Sequence, residues 1–255
     1  MICNVERPPY AHCSSVMPIR PNLKLNLPPL NVMPVANART PSTLEHLCAN
    51  RENLRRQMHA LPSPDFGEAL HAPDYAGMRQ VGFASKSHGF MLENTDLDVF
   101  MHARREQPKC LGEFAGDKFH ISVQREQVPH SFQALTGLLF SECSPIDKWK
   151  VTDIEQIDHQ SRVSLGAQFT LYVKPDEDGS QYSATLLNTV RHFVERLELE
   201  LSKHGISPGL HPESDVRPEH WQYVSYRNEL RSKRNGSEAQ SQALSVEPFY
   251  RLMTE

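Results

Sequence analysis

The chain has 255 residues, of which 38 % are hydrophobic, enough to bury one large core or two small ones. Its 27 Lys and Arg against 31 Asp and Glu leave a net charge of −4, the wrong sign for a general nucleic-acid surface. No apolar run approaches the length of a membrane span and no basic-then-hydrophobic leader opens the chain, so a soluble protein with no membrane partner is expected.

Residues 1–41 hold eight of the 19 prolines and no glycine, a composition that predicts an extended, flexible arm. Within it Arg20 and Lys24 accompany Leu23, Leu25 and Leu27, whose alternation places three leucines on one side of an extended segment. Such a segment is either a docking motif or a tether without sequence meaning. The folded domain is expected over 42–255 and opens on a capping box, Ser42 to Glu45, just after Pro41. The helix that follows carries Leu44, Leu47, Leu54, Met58 and Leu61 on roughly one face before Pro62 and Pro64 stop it.

Strands are predicted at 80–85, 97–104, 117–123, 147–153 and 161–175, with a short buried helix at 131–140. The longest helix is predicted over 183–204, with Leu186, Leu187, Val190, Phe193, Val194, Leu197 and Leu201 as its stripe and Lys203, His204 and Gly205 as its stop. A proline-marked loop over 205–220 leads to WQYVSYRNELRSKR, and an amphipathic stretch from Ser237 to Met253 closes the chain. The expected fold is α+β: a single domain with a twisted, largely antiparallel sheet flanked by helices, behind a flexible N-terminal arm.

Three of these strands share a device. In DKFHISV a period of two turns Lys118 and His120 away from Phe119, Ile121 and Val123, and in DKWKVTD it turns Lys148 and Lys150 away from Trp149 and Val151. In SRVSLGAQFTLYVKP, Arg162, Ser164, Gln168, Thr170, Tyr172 and Lys174 share one parity, against Val163, Leu165, Phe169, Leu171 and Val173. Taken singly, each segment suits a solvated sheet face. Together, in an acidic chain, they describe a cationic wall on an apolar back. Lysines pressed together repel, which lowers their pKa, so one can serve as a base while its charged neighbours hold an anion.

Other catalytic signatures are missing. There is no G-x-x-x-x-G-K-[ST] loop, no G-x-G-x-x-G, no G-x-S-x-G and no cysteine followed at the sixth position by arginine. Five widely spaced cysteines without a C-x-x-C pair argue against a disulfide framework or a structural zinc site and fit reducing conditions. The 13 His show no ligand spacing, so neither metal nor cofactor is expected. Lys, His, Arg and Tyr remain, a set that suits proton transfer beside a bound phosphate.

From about Met17 to the C-terminus the chain resembles the bacterial phosphothreonine lyase effectors of the OspF/SpvC family, through RPNLKLNLPPLNV, YAGMRQVGF, DVFMHARRE, FAGDKFHISV, SPIDKWKVTD, SRVSLGAQFTLYVKPD, PESDVRPEHW, YRNELRS and EPFYRLMTE. Residues 1–16 lie outside these strings, and Met17 is the expected functional start. The resemblance implies β-elimination of phosphate from phosphothreonine in the pThr-x-pTyr activation loop of host mitogen-activated protein kinases, leaving dehydrobutyrine. It makes Lys150 the base for the Cα proton, His120 the acid for the leaving oxygen and Lys118 the cation beside the carbonyl oxygen. Arg162, Arg227, Lys148 and Tyr172 would hold the phosphate of phosphothreonine, with Arg104, Lys174 and Arg234 as helpers. Arg20, Leu23, Lys24, Leu25 and Leu27 would form a kinase-docking motif over about 19–32. The family also implies a monomer exported by a type III system to act in the host cytoplasm and nucleus. A phosphopeptide-binding module that only masks the activation loop would also use Arg162 and Arg227, while a phosphatase would share the loss of phosphate but restore threonine.

Overall fold

The computed structural model describes residues 41–95, 97–158, 161–177, 179–231 and 237–255. The expected arm apart from Pro41, the docking residues Arg20, Leu23, Lys24, Leu25 and Leu27, and Arg234 lie outside them.

Helix α1 (Thr43–Ala60) starts at the expected capping box: Ser42 Oγ accepts from Glu45 N while Glu45 Oε2 accepts from Ser42 N at 2.7 Å. Leu47, Leu54 and Met58 of its stripe are buried, whereas Leu44 and Leu61 are half-buried. The short helix α2 (Tyr75–Arg79) leads into a hairpin of β1 (Ser85–Ser87) and β2 (Phe90–Glu93). The strand expected at 80–85 is therefore displaced. His88 and Gly89 form a two-residue loop with φ of 49° and 74°, a turn that needs two positive φ values and that His seldom signals in a sequence.

Then come β3 (Phe100–Arg105), β4 (Asp117–Ile121), α3 (Val128–Leu139) and β5 (Lys148–Thr152), close to their expected places. The expected strand over 161–175 is shorter. Arg162–Leu165 forms one helical turn, α4, and only Phe169–Tyr172 forms β6. Buried Ser164 accepts from Arg125 at 2.8 Å, and Gln168 ties Val123 N to Ser164 O, so these two residues brace the turn instead of lining a polar sheet face. Ala167, at φ 54°, breaks the parity between helix and strand. Helix α5 (Ala184–Lys203) follows its Ser183 cap and buries the whole predicted stripe. Within WQYVSYRNELRSKR the chain forms β7 (Val224–Asn228), and the closing stretch splits into α6 (Glu238–Leu244) and α7 (Pro248–Thr254), where Pro248 opens a new first turn.

Among the described residues the strands form one antiparallel sheet in the order β1-β2-β3-β5-β6-β4-β7. Its back is apolar: Ala103, Trp149, Leu171, Phe119 and Tyr226 fall in register across five strands and are buried. Phe132 and Phe140, in and just after α3, pack on Trp149, and Phe249 of α7 packs on Phe119 and Tyr226. The result is an α+β fold with helices against one sheet face.

Candidate active site

The opposite face follows from the same register. Arg104, Lys148, Tyr172, Lys118 and Arg227 form one transverse row across β3, β5, β6, β4 and β7. His102, Lys150, Thr170, His120 and Ser225 form the next row on that face. Alternating side chains point to opposite faces, so an apolar back compels a polar front wherever the strands stay in register. β6 separates β4 from β5, so Thr170 lies between Lys150 and His120, and Tyr172 between Lys148 and Lys118.

A cavity of about 690 Å³ opens over these rows, lined by Phe100, Lys118, His120, Lys150, Arg162, Thr170, Tyr172, Arg227 and Glu229 among others. It gathers six of the expected site residues. Arg104 and Lys148 line an adjoining cavity of about 270 Å³ together with Asp98 and His102. Lys174 follows the end of β6 and lines neither cavity.

Lys150 lies with its Nζ 3.4 Å from the centroid of the Phe100 ring, a cation–π contact. Its pKa is lowered to about 8, first by burial and then by the charges of Lys118 and Lys148, while Asp98 and Glu229 push it up. Like-charge repulsion, the cause expected from the sequence, is thus secondary to loss of water. Lys148 Nζ stands 4.8 Å over the Tyr172 ring. Burial, with the charges of Glu229 and Asp98, pushes the Tyr172 phenol up to about 12, so its hydroxyl remains a hydrogen-bond donor at neutral pH.

His120 is buried and held from behind. Its Nδ1 lies 2.7 Å from Asp215 Oδ2, which also accepts from Ser225 Oγ at 2.8 Å. Burial alone would raise the Asp215 carboxyl, but the His120 charge and hydrogen bond, Ser225 and Arg227 together lower it. An ionised carboxylate only accepts, so Nδ1 carries the proton and Nε2 is the ring nitrogen left for chemistry. Arg227 donates to Ser214 Oγ at 2.6 Å and lies 3.9 Å from Asp215 Oδ1. Burial and neighbouring Arg162 lower its pKa, which still leaves it a cation near neutrality. Arg162 reaches the cavity from α4, outside the sheet.

Lys118 Nζ pairs with Glu229 Oε2 at 3.0 Å. One residue earlier, the buried Asp117 carboxylate accepts from Tyr226 at 2.6 Å, Tyr182 at 2.9 Å and Asn228 at 2.9 Å, which locks the start of β4 to β7 and to the entry of α5. Sequence reasoning missed Asp215, Ser214, Ser225 and Glu229. PESDVRPEHW and YRNELRS contain Asp215 and Glu229, yet neither residue belongs to a periodic pattern that would have marked it. Among the described residues no three His, Cys, Asp or Glu side chains gather as a metal-holding group.

The OspF/SpvC family profile matches residues 10–255, so the match begins ahead of Met17 and takes in part of the stretch that lay outside the quoted strings. The MAPK phosphothreonine lyase of Salmonella choleraesuis is 61 % identical over 241 residues, covering 94 % of this chain and 100 % of its own. The phosphothreonine lyase OspF of Shigella dysenteriae is 55 % identical over 240 residues, again 94 % of this chain and 100 % of its own. The structure of the Salmonella plasmid virulence C protein, SpvC, is similar at a TM-score of 0.82 and 62 % identity, over 84 % of this chain and 100 % of that one. With residues 10–255 matched by the profile and 84 % of the chain matched in structure, this chain belongs to the OspF/SpvC family.

Proposed function

We propose that the chain is a phosphothreonine lyase whose substrate is the pThr-x-pTyr activation loop of host mitogen-activated protein kinases. The activity is that of its relatives, which are named phosphothreonine lyases and match at 54–61 % identity. The observation that carries the chemistry is the pairing of Lys150 and His120 in one row of the sheet, with the Lys150 pKa lowered to about 8.

Lys150 takes the Cα proton, and the electron pair released forms the Cα–Cβ double bond. The Cβ–O bond breaks, and phosphate leaves with the proton that His120 Nε2 gives to the bridging oxygen. The residue left behind is dehydrobutyrine. An α-proton beside an amide is weakly acidic, so removal needs a neutral base at hand and a fixed cation on the carbonyl oxygen. Lys118 supplies that cation. The phosphate dianion is held by Arg162, Arg227, Lys148 and Tyr172, with planar guanidinium forks suited to its oxygens. Arg104, Lys174 and Arg234 assist at the second phosphate or its surroundings. The arm over 1–41 docks the kinase through Arg20, Lys24 and the three leucines, residues 42–255 carry catalysis, and the protein acts as a monomer after type III export, in the host cytoplasm and nucleus.

Mass spectrometry of a treated diphosphopeptide tests this reading. The expected product is lighter by one water than the threonine peptide; recovery of threonine would identify hydrolysis and overturn it.

A further inference from the structure

A carboxylate stands on the wall of the cavity that is read here as an anion site. Glu229, next after β7, lines it beside Lys118, Lys150, Arg162 and Arg227, with Oε2 3.0 Å from Lys118 Nζ. Its place is built into the fold. Glu229 N donates to Gly116 O at 2.7 Å, and the Asn228 before it donates to the Asp117 carboxylate, so one buried hub sets the backbone of both Lys118 and Glu229. Burial tends to raise its carboxyl, but the hydrogen bond and charge of Lys118, followed by the charges of Lys150 and Lys148, lower it, so it is an anion at neutral pH. An anion in this position repels a phosphate dianion. Affinity for phosphate alone would be better served by a neutral residue.

We propose that Glu229 is a positioning and specificity-determining residue, which aims Lys118 at the substrate's carbonyl oxygen and sets a negative charge against the anion site so that free phosphate is held weakly and leaves. Peptide-borne phosphate overcomes that charge through contacts along the chain, which inorganic phosphate lacks. The inference rests on the lyase reading of this cavity.

Glu229→Gln and Glu229→Asp test it, assayed on a short diphosphopeptide and titrated with inorganic phosphate by calorimetry. The Gln variant is expected to bind phosphate on the order of tenfold more tightly, since one partly screened like charge is removed. Its kcat falls about tenfold as Lys118 loses its partner, without a rise in KM, and the Asp variant restores weak phosphate binding.

The acid limb of kcat/KM moves to lower pH in the Gln variant, because Glu229 and Asp98 raise the Lys150 pKa against burial, Lys118 and Lys148. The other titratable or charged groups around Lys150, namely His102, His120, Tyr172, Arg162 and Arg227, are unaltered. Unchanged phosphate affinity in the Gln variant overturns the proposal, whatever happens to kcat. A wild-type protein that eliminates no phosphate from the peptide would sink the lyase reading instead, and the calorimetric arm would still decide the effect of the Glu229 charge.

Discussion

In the proposed mechanism Lys150 acts for catalysis and against stability at once. Its pKa of about 8 lies below its ordinary 10.5, so the unfolded chain binds the proton more tightly than the folded one. Stability from this group is therefore fully present only above 10.5 and is lost as pH falls through about 8. Lys150→Met, which keeps the stem and removes the amine, is expected to raise the melting temperature at pH 7 by about 2–4 °C, a gain that shrinks as pH approaches 10.5. The same substitution lowers kcat by about two to four orders of magnitude. With Lys150 as the base, kcat/KM of the unaltered enzyme is expected to rise with pH up to about 8, because the free enzyme would need the neutral amine. A pH–rate profile flat between 6 and 9 would remove Lys150 from the role of base. At this scale the sequence was most legible where chemistry followed a period: Lys118, His120, Lys148 and Lys150 sit where strand alternation put them. Asp215 was not legible, since it reaches His120 from a loop 95 residues away in the chain.

Among the elements, the segment from α4 to β6 departs most from expectation, and Gly166 shows why. Its backbone is extended, yet a Cβ there would run into the carbonyl oxygen of Leu210 and press on Ser122 Oγ. Leu210 N donates to Leu165 O at 2.9 Å, and Ser122 Oγ accepts from Ala167 N at 2.8 Å, so the loop before Asp215 is clamped onto the end of α4. Two site elements, the turn bearing Arg162 and the loop bearing Asp215, depend on that close approach. Gly166→Ala is expected to cost about 1–3 kcal/mol in urea unfolding and to raise KM for the diphosphopeptide through displacement of Arg162. Wild-type KM with wild-type stability would mean the loop yields without cost. Helices α1 and α5 were readable because capping and a 3.6-residue stripe agree. The segment over 161–175 reads as one strand because a single turn of helix is too short to express any period, and its alternation in the sequence continues that of β6.

For the whole molecule, the proposal separates recognition from chemistry. Deleting residues 1–32 is expected to weaken action on an intact phosphorylated kinase by at least tenfold and to leave cleavage of a short pThr-x-pTyr peptide within about twofold, because a docked arm raises the effective concentration of the loop at the site. Equal loss on both substrates would make the arm part of the catalytic fold; no loss on either would make it a tether. The fold class could be read from the interleaving of strands and helices, whereas the strand order could not. Local periodicity says which face a strand shows and is silent about its neighbours, so the insertion of β6 between β4 and β5 had no trace in the sequence.

That strand order has a kinetic consequence. The row from Arg104 to Arg227 draws one residue from each of five strands, and a slip of one position in any of them turns its contribution to the apolar back. Under the proposed mechanism activity therefore waits on several registrations at once, and partly assembled sheets are expected to be silent instead of slow. Refolding from denaturant should regain far-ultraviolet ellipticity, carried largely by α1 and α5, well before turnover, because pairings between distant strands close late. Activity is expected to appear abruptly in such an experiment, at the closing of the last strand.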